Sequence, residues 1–193
     1  MHSRLLTIAA MAAATFASTP ALAGHVAFTG TAMNIGNPPI ADAACNPLLK
    51  VQFGPANTAG ASDFGAFTFT QMHCSTGGPG AYSGGLFSYF FDAGDSLTGA
   101  YSGLATPSGT PGLLNNTINY LVTGGTGRFL GGSGLITGMG TVDFRMGAPR
   151  QALTLNGELN LPAVPEPATW GLMILGFGLS GAALRSRRRL SLG

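Results

Sequence analysis

The sequence predicts a mainly β protein, a single antiparallel eight-stranded barrel, with a two-sheet sandwich as the alternative. Three observations predict it. Residues 24–161 contain eight short runs of apolar side chains, most alternating with polar ones, the period of two that turns one face of a strand inward. Turn residues separate the runs, in a chain with 31 glycines and 12 prolines. No long apolar period of 3.6 residues competes with them. Closure favours the barrel, because a closed sheet leaves no unpaired edge to recruit another chain.

The first element precedes the sheet. Met1 to Arg4 carries one firm positive charge, Leu5 to Phe16 is apolar and helix-permissive, and Ala21-Leu22-Ala23 offers the small residues that a signal peptidase accepts. Residues 1–23 therefore read as a signal helix cleaved after Ala23, with Ala21 as the other small position. Signal peptidase and the secretion machinery are the partners this implies.

The exported part follows as residues 24–161. Val26 and Phe28 alternate in a first strand, and Leu49, Val51 and Phe53 in a second. Phe67 and Phe69 mark a third. Leu86 to Phe91 is apolar on both faces and predicts a fourth strand covered on both sides. The acids and glycine of Asp92–Asp95 predict the hairpin turn into a fifth strand, Leu97 to Leu104, where Gly99 and Gly103 relieve crowding or mark bends. Ile118, Tyr120 and Val122 form a sixth. A seventh runs from Leu135 to Met146 and ends in a Val142/Phe144/Met146 face. Leu153, Leu155, Leu159 and Leu161 line an eighth.

The glycines of Thr123–Phe129 permit positive φ, and the aromatic at its end folds the turn back onto the sheet. This segment resembles the Gly-rich strand-to-strand turn of dirigent and allene-oxide-cyclase-like barrels. The resemblance implies a barrel and carries over no catalytic residue.

Cys45 and Cys74 are the only cysteines, and both lie in the exported part. An even count in an oxidising compartment predicts a disulfide. It would tie an irregular loop over residues 33–47 to the end of the third strand. A metal site using His73 beside Cys74 is the rival reading, but it falls short of the four ligands a structural zinc requires.

Charge narrows the function. The formal net charge is +2, yet Arg4 and four arginines near the C-terminus supply five positive charges. Residues 24–161 hold four basic residues against six acids, which excludes the clustered basic face that nucleic acid requires. There is no G-x-S-x-G elbow, no H-E-x-x-H and no EF-hand loop. Asp92 and Asp95 read as solvated turn acids. The expectation is no catalytic residue, no metal and no cofactor: a non-enzymatic surface or matrix module. The alternative is a barrel that binds or isomerises a small apolar ligand lined by Phe87, Tyr89, Phe91, Tyr101 and Tyr120. Those rings equally suit a packed core.

The C-terminal segment is an address. A stiff linker over 162–167 contains Pro165-Glu166-Pro167. An apolar stretch over 168–184 begins near Trp170, and Arg185, Arg187, Arg188 and Arg189 open a basic tail over 185–193. At ~1.5 Å per residue the stretch spans ~25 Å, at the short end for a bilayer core of ~30 Å. Trp170 at one edge and the arginines at the other predict a transmembrane helix with the barrel outside the cytoplasm. Gly176 to Gly181 matches G-x-G-x-x-G, but no strand precedes it, so helix contacts in lipid are the better reading.

These residues resemble the PEP-CTERM sorting signal of Gram-negative bacteria, which is read by exosortases, membrane-embedded cysteine proteases. The resemblance implies export, inner-membrane anchoring with the domain in the periplasm, cleavage near Pro165–Pro167, and later residence at the cell surface or outside. It also implies an association with exopolysaccharide and biofilm.

Overall fold

The computed structural model describes residues 24–162 and 167–190. Ten strands form one sheet: β1 (Gly24–Ile35), β2 (Ile40–Ala41), β3 (Leu49–Phe53), β4 (Thr58–Ser62), β5 (Gly65–Ser75), β6 (Gly80–Phe91), β7 (Ser96–Pro107), β8 (Leu113–Thr126), β9 (Ser133–Asp143) and β10 (Arg150–Leu161). Among the described residues one α-helix, α1 (Pro167–Leu190), follows.

The sheet closes. Its order is β2-β3-β5-β4-β1-β10-β9-β8-β7-β6, and the further pairing of β5 with β6 joins the ends. β3 pairs with the C-terminal half of β5 and β4 with its N-terminal end, on the same edge. A short 3-10 turn at Pro55–Asn57 separates the two. β3 and β4 thus act as one interrupted strand, and the wall is an eight-stranded antiparallel barrel with β2 as an appendage. The barrel prevails over the sandwich.

All eight predicted strands are present, but four details differ. β2 and β4 were too short and too poor in large apolar residues to show alternation. The irregular loop starts after Ile35, because Met33 still pairs with Ala152 inside β1. The run Leu86–Phe91 is covered on one face only: Phe87, Tyr89 and Phe91 are buried, whereas Leu86 is 58% and Phe90 42% exposed. The seventh strand ends at Asp143, and Met146 lies 66% exposed in the following loop.

The interior is aromatic and interdigitated. Phe67 stacks on Tyr89 with centroids 4.7 Å apart, and Tyr101 meets Tyr120 at 5.5 Å. Rings of this size fit a narrow barrel only beside small residues. Gly85 and Gly103 serve that need, since a Cβ at either would collide with the rings of Tyr101 and Tyr82 respectively. Gly99 sits at a register shift between β7 and β8, as a bend-forming glycine should.

One end is plugged. Gly127 turns the chain at φ 58° after β8 and directs Phe129 inward, where it is fully buried. Phe129 packs on Phe64 and Phe91 at 5.2 and 5.0 Å. Arg128 lies over those three rings at 5.2–5.7 Å and pairs with Asp95 at 2.8 Å.

α1 contains the whole predicted segment 168–184, but among the described residues no helix is long and apolar enough to cross a membrane. Gly171, Gly176, Gly178, Ser180 and Gly181 dilute its hydropathy, and the arginines begin at 185. The structure therefore does not show the spanning helix expected from the sequence; α1 carries exposed apolar side chains such as Ile174 and Phe177. The signal helix with Ala21 and Ala23, and Pro165 and Glu166 of the linker, lie outside the described residues.

Candidate functional site

The end opposite the plug is polar. Alternation along β5 carries Phe67 and Phe69 inward, and the same parity carries Gln71, His73 and Ser75 inward as well. β8 does the same in reverse, placing Asn116 between Leu114 and Ile118. β10 contributes Gln151 ahead of Leu153, and β1 contributes Asn34. All are buried, so each needs a partner.

Ser75 accepts from the Gly77 amide, Asn34 and Gln151 meet on adjacent strands, and the other partners are side chains across the lumen. His73 Nδ1 and the Tyr101 hydroxyl lie 2.7 Å apart. Tyr82 donates to Asn116 Oδ1 at 2.8 Å, Gln71 donates to the Tyr120 hydroxyl at 2.8 Å, and Asn34 donates to Gln151 Oε1 at 3.0 Å. The His73 ring also stacks on Tyr82, with centroids 4.2 Å apart. Beside this network the mouth keeps a cavity of about 60 Å³, lined by His73, Asn116, Gln151 and Tyr82 with Phe53 and Ile118 behind them.

The disulfide lies at the same rim. Cys45 and Cys74 are bridged, and the bridge joins the β2–β3 loop to the residue after His73. Pro39, from the β1–β2 loop, lines the cavity.

Burial shapes the electrostatics. It pushes His73 down from 6.5 to about 4, so the imidazole is neutral at neutral pH. It pushes the Tyr82 hydroxyl up to about 12, against the Asn116 hydrogen bond, so that hydroxyl stays protonated and donates. Asp143 is held down at about 2 by the Arg145 side chain and backbone. Between pH 6.5 and 4 the unfolded chain takes up a proton at His73 that the barrel refuses. Stability is therefore complete above pH 6.5, falls as pH drops through that window, and levels off below it. The expected loss is about 3 kcal/mol. Urea unfolding at pH 7, 5.5 and 4 measures it, and His73→Phe should remove this slope. Asp143 adds its own loss only below its ordinary 3.8, so the two windows separate.

The predicted site residues fall in several places. Asp92 and Asp95 do form the β6–β7 turn, and Asp95 is committed to Arg128. Among the described residues no three metal-ligating groups come together. Of the five rings named for a ligand cavity, only Tyr101 lines it; the other four fill the core. Gln71, Tyr82, Asn116 and Gln151 were not anticipated. Their signal was present: each holds an inward position of its strand, and Gln71, Asn116 and Gln151 have an apolar residue at an adjacent inward position, Phe69 for Gln71 and Leu153 for Gln151 among them.

The second functional region is the C-terminal segment. A family model described as the PEP-CTERM protein-sorting motif matches residues 163–189. The chain carries this sorting motif. Among curated proteins and among solved structures, nothing matches. The resemblance of the Gly127 turn to dirigent-like barrels is thus unsupported, although that turn has the positive φ and the buried aromatic expected of it. The PEP-CTERM motif covers Pro165-Glu166-Pro167, Trp170 and the arginines through Arg189. It marks an exported protein with an exosortase as its processing partner and the C-terminal signal as its membrane anchor.

Proposed function

We propose that the barrel is a non-enzymatic module of the cell surface or extracellular matrix, delivered to the periplasmic face and then released by an exosortase. The motif over 163–189 carries this reading. In it, Pro165-Glu166-Pro167 is the recognition and cleavage region. Trp170 sits at the outer interface, and Arg185, Arg187, Arg188 and Arg189 hold the tail in the cytoplasm. Residues 168–184 form a deliberately marginal hold, ~25 Å of helix against a core of ~30 Å, which suits a temporary anchor. Signal peptidase would act after Ala23.

The placement of the acids supports the non-enzymatic reading. Asp42, Asp95 and Asp143 are each engaged by a basic residue, at Lys50, Arg128 and Arg145. No two of them stand ready as an acid/base pair. An exopolysaccharide is the matrix partner we propose.

The test is cell fractionation of tagged protein. Pro165→Ala with Glu166→Ala is expected to trap nearly all of it, at full length, in the inner membrane. Release at the wild-type level would overturn recognition at this motif. Mass spectrometry of the mature C-terminus, with and without the exosortase, locates the cut.

A further inference from the structure

We propose that the cavity at the barrel mouth is a binding site for the uncharged, oxygen-bearing end of a small molecule, a primary alcohol or hydroxymethyl group, seated between His73 Nε2 and the Asn116 amide. The inference goes beyond the sorting function and does not depend on it.

The argument begins with contrast inside one barrel. The plugged half is filled by rings and aliphatic side chains. The mouth half has the same access to apolar residues through its strands, yet it buries Gln71, His73, Ser75, Asn116 and Gln151. Burying amides and an imidazole opposes folding unless their bonds are made. His73, Asn116, Gln151 and Ser75 each have one hydrogen bond within the protein, and each keeps a further group in reserve. His73 uses Nδ1 on Tyr101, and Nε2 makes no hydrogen bond among the described residues. Asn116 uses Oδ1 on Tyr82, leaving its amide nitrogen. Gln151 uses Oε1 on Asn34, leaving its amide nitrogen. Ser75 accepts from the Gly77 amide, leaving its hydroxyl proton. These four residues all line the cavity.

The reserved groups define the ligand. Three are donors, and a hydroxyl oxygen accepts from them. Nε2 donates or accepts according to tautomer, and a hydroxyl answers either. No charged side chain lines the cavity, and its other walls are Val51, Phe53, Ala105, Leu114 and Ile118. Neither a cation nor an anion would find a counter-charge there. Size narrows the choice further. About 60 Å³ is less than half of an apolar cavity of ~150 Å³ that takes benzene. The site therefore accepts a terminal group on a short stem, with the remainder of the molecule lying in the mouth near Pro39 and Gly78.

The experiment titrates the exported, disulfide-bridged protein with n-butanol, following the imidazole and side-chain amide signals by NMR. Saturable shifts at His73 and Asn116 in the millimolar range are expected. Sodium butyrate and n-butylammonium are expected to shift them at least tenfold less. Ala105→Leu, which fills the cavity from β7 without touching a hydrogen bond, should abolish saturation while leaving the thermal midpoint unchanged or raised. His73→Phe should also abolish it. The proposal is overturned by an absence of saturation, by equal responses to the charged probes, or by a wild-type response in a folded Ala105→Leu protein.

Discussion

Replacing Phe129 with alanine is expected to lower the stability of the barrel by about 3–5 kcal/mol, the range for removing a fully buried phenylalanine. The side chain has no exposed surface, and it is the piece that closes one end. Its ring touches Phe64 and Phe91, and the Arg128 guanidinium lies over all three. Truncation therefore removes apolar burial, leaves a void between two rings, and weakens a cation–π contact worth ~0.5–1 kcal/mol at an accessible site. Little can collapse to fill the gap, because a closed sheet holds its strands at fixed spacing. Urea unfolding measures the change as a fall in midpoint at constant slope. A loss below about 1 kcal/mol would show that the plug is decoration rather than structure. Arg128→Ala should cost far less, since its ion pair with Asp95 is partly exposed.

Removing the bridge, with Cys45→Ser and Cys74→Ser together, is expected to cost about 3.6 kcal/mol by the chain-entropy model. The sequence separation of 29 sets that figure, because a loop of this length has much freedom to lose when it is closed. The damage should be local to the mouth. The loop carrying Cys45 would lose its tie to β5, whereas the aromatic half and the plug make no use of the bridge. Limited proteolysis is expected to open the chain between Ile35 and Leu49 first, and urea unfolding gives the magnitude. If the double mutant unfolds at the wild-type midpoint, the loop is held by its other contacts, such as the Gly36 amide on the Pro149 carbonyl at 2.8 Å. Because the plug and the bridge sit at opposite ends, their losses should add within about 0.5 kcal/mol.

Much of this molecule is legible in its sequence. Alternating runs located eight strands, since a sheet with a dry face and a wet face writes its period into the chain. Where alternation failed, the reading failed for a physical reason. The run Leu86–Phe91 looked doubly buried because hydrophobicity alone does not say which face is covered. β4, Thr-Ala-Gly-Ala-Ser, carries no large side chain on either face, so only its pairing with β1 and β5 makes it a strand. His73 stood out through its place beside Cys74, as the rival metal reading. Gln71 and Asn116 did not, because a polar residue in a strand is ordinarily taken as outward-facing.

The chain by itself determined the class of fold, the pairing of its two cysteines and the sorting address, because each depends on residue type and spacing along a single segment. Only tertiary structure decided which end of the barrel is plugged and which keeps a hollow. That difference depends on side chains from β1, β5, β6, β8 and β10 meeting across a lumen, and distance through the fold is not written along the sequence.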